Sequence, residues 1–204
     1  MRDRLDRARN ARQAARMSLS APLLLCLRCT DQRLVIEADV QRWYDVVKPD
    51  CEPRHALLWF LARYPEFRTL FYYRLRRGNL AGGIAGAALG FVYRGEPTLH
   101  LASSEIGPGL FIQHGFATIV AARRLGANCW VNQQVTIGFD APDERPVLGD
   151  GVSVHAGAKI LGAVTIGDGA RIGANAVVIH DVPAGSTAVG VPARILPPKS
   201  ERSH

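Results

Sequence analysis

Six-residue spacing governs the second half of this chain and leaves few folds open to it. Aliphatic residues stand at Leu148, Val154, Ile160, Ile166, Ile172 and Val178, each six residues after the last. The same step joins Leu125, Val131 and Ile137, and also Ile106 and Ile112. The position four after the aliphatic residue is again small or apolar, at Val152, Ala158, Val164, Ala170 and Ala176. A helix cannot carry this pattern, because six residues advance about 600° around its axis and scatter the aliphatic side chains over every face. The spacing predicts a chain that runs a short strand, turns and repeats, with one large side chain per step pointing into a narrow prism. Three steps close a coil, and stacked coils pair their strands in parallel. Gly follows the aliphatic residue at Gly107, Gly126, Gly138, Gly149, Gly167 and Gly173, as turns between such strands require.

The register breaks twice. Ile112 to Leu125 is thirteen residues instead of twelve, and Ile137 to Leu148 is eleven, with the charged, Pro-containing FDAPDERPV between them. Such a segment cannot enter the prism and is expected to project as a loop, where function often sits.

Upstream of about residue 98 the period changes to three and four. DQRLVIEADVQRWYDVV and PRHALLWFLARYPEFRTLFYYRLRRG read as amphipathic helices, with Pro49, Pro53 and Pro65 marking boundaries and Gly78 a stop. Their apolar faces, including Trp43, Leu57, Leu58, Trp59, Phe60, Phe67, Leu70 and Phe71, are expected to pack together, on the coils or on another subunit. LAGGIAGAALGFV (80–92) is apolar but too short to span a membrane and is expected to be a buried or interfacial helix. The expected organisation is a basic N-terminal arm over 1–30, a helical segment over 31–97, the repeat domain over 98–196 and a disordered tail over 197–204.

Charge divides unevenly: residues 1–78 carry 16 − 9 = +7 and the remainder 9 − 9 = 0. No aromatic-basic interleaving accompanies the excess, so nucleic acid is not an expected partner, whereas peripheral contact with a membrane through the basic segment stays open. Cys26 and Cys29 form a lone C-x-x-C without a second ligand pair, and no metal is expected. The start offers no convincing signal-peptide cleavage motif, which makes the expected location cytoplasmic.

The runs IGPGLFIQHGFATIV, NQQVTIG, GVSVHAGAKILGAVTIGDGARIGANAVV and STAVGVPARIL resemble, in order and spacing, the hexapeptide-repeat acyltransferases, and among them the serine acetyltransferases and their relatives in polysaccharide gene clusters. The resemblance covers about half of the chain. It implies a left-handed parallel β-helix of hexapeptide repeats with an α-helical N-terminal segment; the hand comes from the family alone, since ordinary parallel crossovers are right-handed. It implies acetyl-CoA as co-substrate, bound in a groove between subunits of a homotrimer or a hexamer, and a general base at His114. A hydroxyl is a poor nucleophile at neutral pH, and an imidazole that takes its proton is worth about 10² to 10⁴ in rate. The backbone at Gly138 and Phe139 corresponds to the oxyanion donor of the family. Gly157, Ala158, Lys159, Ala174, Gly190, Val191, Pro192 and Arg194 correspond to the cofactor groove, with Ala156, Arg171 and Ala193 beside them.

The resemblance also has gaps. Thr98 stands where the family has the Asp that orients the base, so Glu105 or an acid of the loop is expected to serve instead. Gln113 replaces the Asp that precedes the base, and Glu144, Arg145 and Pro146 replace the R-H-P that holds the serine carboxylate. With Gln113 uncharged, the favoured acceptor is a neutral hydroxyl, a saccharide of a polysaccharide pathway, recognised by Gln113, Gln133, Arg145 and His155, with Gln134 beside them. The alternatives are a serine O-acetyltransferase of cysteine biosynthesis and a non-catalytic scaffold or binding protein. His55, His100, His180 and His204 are read as structural or exposed.

Overall fold

The computed structural model describes residues 15, 17–139, 141 and 143–198. The tail beyond 198 and half of the expected basic arm, residues 1–14 and 16, lie outside the described residues, as does His204. Residues 21–29 are not an arm: Ala21–Leu25 and Cys26–Cys29 form helical turns whose Leu23 and Cys26 are fully buried.

Four helices follow: α1 (Arg33–Val47), α2 (Ala56–Arg63), α3 (Pro65–Arg77) and α4 (Leu80–Val92). α1 ends where Lys48 turns left-handed just before Pro49. Pro65 opens α3 at a position that needs no intrahelical N–H, and Gly78 closes it. Asn79 caps α4 by accepting the Gly82 N–H at 2.9 Å. Of the two readings expected for α4, buried or interfacial, burial does not hold for its large residues. Only Gly82, against Thr30, and Gly86, against Leu75 of α3, are buried, while Leu80, Ile84, Phe91 and Val92 face outward. No helix among the described residues is long and apolar enough to cross a membrane.

From Leu99 onward the chain is a parallel β-helix. Its strands are β1 (Leu99–Leu101), β2 (Glu105–Ile106), β3 (Phe111–Gln113), β4 (Thr118–Val120), β5 (Arg124–Leu125), β6 (Trp130–Asn132), β7 (Thr136–Gly138), β8 (Val147–Leu148), β9 (Ser153–Val154), β10 (Lys159–Leu161), β11 (Thr165–Ile166), β12 (Arg171–Ile172), β13 (Val177–Val178), β14 (Thr187–Val189) and β15 (Arg194–Leu196). They form three faces, ordered β1-β4-β7-β10-β13, β2-β5-β8-β11 and β3-β6-β9-β12-β14-β15. All pairings are parallel except β14 with β15. The six-residue ladder is the core: Leu125, Val131, Ile137, Leu148, Ile160, Ile166 and Ile172 are fully buried, as are Val152, Ala158, Ala170 and Ala176. Burying an aliphatic side chain contributes roughly 1.5–3 kcal/mol, so the prism is held chiefly by this ladder.

The thirteen-residue break resolves into eight plus five. Ile112, Val120 and Leu125 are the inward residues, so Ile112 to Val120 spans eight and Val120 to Leu125 five. The surplus lies in the turn 114–117, where His114, Gly115 and Ala117 all take positive φ. The eleven-residue break is the loop between β7 and β8, as expected.

The helices close the first coil. The Trp43 indole N–H donates to the Leu110 carbonyl at 2.9 Å, and its ring lies 4.8 Å from Phe111 and 5.0 Å from Phe67. Arg74 and Asp39 form a buried ion pair at 2.8 Å, Arg74 also donates to the Ile106 and Gly107 carbonyls, and Asp39 accepts the Gly109 N–H at 2.7 Å. Helical segment and coils are thereby one body.

Candidate functional site

The order of the faces assigns each sequence candidate to a corner of the prism. Between the β3 face and the β1 face lie the turns that follow β3, β6, β9, β12 and β14. Down this corner stand His114, Gln133 with Gln134, Ala156 with Gly157, Ala174, and Gly190 with Val191 and Pro192. The candidate base and the candidate cofactor residues therefore share one line. Gly138, Phe139 and Arg145 belong to the next corner, between the β1 and β2 faces.

Along the first corner the backbone is bared. Gly157 has φ +75°, and a Cβ there would collide with the Asn175 side-chain amide, so the turn has neither conformation nor room for a side chain. The Val177 N–H donates to the Gly190 carbonyl at 3.0 Å, tying the last turn to the one above. This small-residue strip suits a long, flexible ligand arm lying against backbone, and so fits acetyl-CoA. Ala158 is fully buried and offers such a ligand only its backbone. Lys159 donates from Nζ to the Gln134 carbonyl at 2.6 Å. Arg171 and Arg194 are exposed on β12 and β15, and His155 is exposed just after β9.

His114 is exposed and lines a cavity of about 320 Å³ with Gln113, Phe111, Trp130, Tyr64 and Glu66. Of the acceptor candidates, only Gln113 shares this cavity. Gln133 lies deeper, with its Oε1 buried and unpartnered among the described residues. Arg145 lies on the second corner, its guanidinium 4.2 Å from the centre of the Phe139 ring, and donates to the Ala102 carbonyl at 3.4 Å. Gly138 has only ordinary contacts where a Cβ would stand, so nothing there demands glycine. Within one chain the candidate base and the candidate oxyanion donors are on separate corners, which is the arrangement expected of a site completed by a neighbouring subunit.

Of the acids expected beside His114, Glu105 is elsewhere, and Asp140 of the loop lies outside the described residues. Glu105 is exposed on β2 and pairs with Arg124 at 3.7 Å. Thr98 does contact the turn, but through backbone: its Oγ1 accepts the Ala117 N–H at 2.9 Å and donates to Glu96 at 2.6 Å. The acid that lines the cavity is Glu66, which sequence reasoning missed. It occupies the first turn of α3, where an acid is ordinary because it complements the helix dipole, so no sequence signal set it apart. Burial pushes its carboxyl above the usual range; the hydrogen bond from its own backbone N–H opposes this most, with smaller contributions from Glu96 in the same direction as burial and from His114 and Arg68 against it. Among the described residues no group of three or more His, Cys, Asp or Glu could hold a metal ion.

Known proteins resemble this chain in the same region and beyond it. The family described as "Bacterial transferase hexapeptide (six repeats)" matches residues 145–180. Serine acetyltransferase of Helicobacter pylori J99 is 37% identical over 147 residues, 70% of this chain and 80% of that protein. Serine acetyltransferase of Bacillus subtilis is 40% identical over 97 residues, 46% of this chain and 45% of that protein. Among solved structures, serine acetyltransferase of Neisseria gonorrhoeae in complex with serine superposes with a TM-score of 0.61 at 31% identity, covering 85% of this chain and 73% of that one.

Proposed function

Because the chain belongs to the hexapeptide-repeat acyltransferases of the serine acetyltransferase type, and so is an enzyme that acetylates a hydroxyl, we propose that its acceptor is serine and that acetyl-CoA is the donor. The observation that carries the reading is the corner that holds His114 in line with Gly157, Ala174 and Gly190–Pro192. A saccharide acceptor, favoured by the sequence because Gln113 is uncharged, finds no support among the relatives, which are serine acetyltransferases. The alternative fits them better.

In the proposed reaction His114 accepts the proton of the serine hydroxyl as its oxygen attacks the thioester carbonyl. The C–S bond breaks as the ester C–O bond forms, and the proton passes from the imidazole to the departing thiolate. The oxygen of the attacked carbonyl gathers negative charge, which backbone N–H groups at Gly138 and Phe139 would stabilise. The working unit in this reading is a homotrimer or a multiple such as a hexamer, as the family resemblance implies, with each site spanning two chains; the separate corners of His114 and Gly138 support it.

Thiol release with acetyl-CoA and serine tests the reading. Replacing His114→Ala is expected to lower kcat at least about 10²-fold with little change in acetyl-CoA affinity. Turnover close to wild type excludes His114 as the base. Turnover on glycans but not on serine restores the saccharide reading.

A further inference from the structure

Among the described residues Glu66 is the only acid lining the cavity that holds His114. Pro65 starts α3 immediately before it. A Cβ built on Gly115 would lie 3.0 Å from the Glu66 Cβ. The helix can come this close to the turn after His114 only because Gly115, at φ +53°, carries no side chain.

Glu66 is 8% exposed, and its carboxyl meets its own backbone N–H; among the described residues no other side chain donates a hydrogen bond to it and it joins no ion pair. The charged groups around it are Glu96, His114 and Arg68. Arg68 is committed elsewhere, donating to the Leu61 carbonyl at 2.6 Å and the Arg94 carbonyl at 2.8 Å. A carboxylate withdrawn from water is costly unless a cation meets it. Here it shares with the candidate base a cavity large enough for an amino acid, and Gln113, beside that base, supplies no charge.

We propose that Glu66 is the counter-ion for the ammonium group of the acceptor, reaching from the helical segment to hold the acceptor while its hydroxyl meets His114. The proposal rests on the serine reading and assigns Glu66 to specificity. It makes the uncharged Gln113 compatible with an amino-acid acceptor, because the countercharge arrives from the helical segment.

Steady-state thiol release at saturating acetyl-CoA, with serine and with 3-hydroxypropionate, which keeps the hydroxyl and carboxylate but lacks the amine, tests it. In wild type, serine is expected to be preferred in kcat/KM by at least about tenfold, the worth of one charge-assisted hydrogen bond. Glu66→Gln is expected to raise KM for serine roughly 10- to 100-fold, with kcat within about threefold, and to leave 3-hydroxypropionate unchanged. Glu66→Asp, which keeps the charge, is expected to recover part of the serine KM. An unchanged serine KM in Glu66→Gln overturns the proposal. So does an equal loss on both acceptors in kcat with a displaced pH profile, which marks a residue that positions His114 instead. If both variants fail to fold, the wild-type comparison decides, and equal kcat/KM for the two acceptors overturns the proposal. Wild-type protein inert towards serine overturns the serine reading itself, whereas serine turnover with an indifferent Glu66→Gln variant overturns this inference alone.

Discussion

Replacing Arg74→Met probes the joint between the helices and the first coil. Arg74 is 3% exposed and donates to both Asp39 oxygens, at 2.8 and 3.1 Å, and to the carbonyls of Ile106 and Gly107. Met fills a similar volume but donates nothing. Asp39, 2% exposed, then keeps backbone donors such as the Gly109 N–H and loses its counter-ion. Stranding one member of a buried pair costs about 3–5 kcal/mol. Against a typical total of roughly 5–15 kcal/mol this is a large share. With an m-value of about 2 kcal/mol/M the urea midpoint should fall by about 2 M. Trp43 fluorescence reports the same joint, since its indole is bonded to Leu110 beside it. The double variant Asp39→Leu with Arg74→Met leaves no charge stranded and should be more stable than the single change. A single variant within about 0.3 M of wild type, or a double variant less stable than the single, would refute the reasoning.

Gly157→Val forces a β-branched residue into φ +75° on the proposed donor corner, and should weaken acetyl-CoA binding at least tenfold by calorimetry while costing about 1–2 kcal/mol of stability. Gly138→Ala, where a Cβ finds its nearest neighbours at 3.6 and 3.8 Å, should change stability by less than about 1 kcal/mol in the same urea assay. Burial pushes the Cys129 thiol from 9.0 up to about 11 and the Tyr72 phenol from 10.0 up to about 12. Both groups are neutral in the fold, so the stability they contribute is complete below pH 9 and is lost as pH rises through 11 to 12. The thermal midpoint should decline over that window, and Cys129→Ala with Tyr72→Phe should flatten the decline; a wild-type midpoint level to pH 12 contradicts it.

The coils were legible because their signal is periodic. One inward residue every six positions survives any choice of turn, and Ile160, Ile166 and Ile172 stand where the spacing puts them. Helix ends at Lys48, Pro65 and Gly78 were legible from local chemistry. Long-range choices were not. Glu66 and His114 are 48 residues apart in sequence, and their meeting depends on the approach of α3 to Gly115, which no local pattern encodes. Glu105 looked a suitable partner for the base by closeness in sequence, but strand β2 carries it to another face. The apolar composition of 80–92 left burial and an interfacial place both open; its glycines took the inward positions and left its larger residues outside. The residue excess near position 114 was visible as a number, while its division into eight and five needed the pairing of Val120 with Ile137.

A ladder of parallel coils has no intrinsic last rung, since each terminal strand offers hydrogen-bonding groups to another copy. Side chains and a reversed strand cover part of each end of this ladder. Above, the indole of Trp43 and the guanidinium of Arg74 occupy carbonyls of Leu110, Ile106 and Gly107. Below, β15 reverses direction against β14 and is followed by Pro197 and Pro198, which have no N–H to give. The stack therefore begins under helix side chains and finishes on an antiparallel strand instead of on two bare parallel edges.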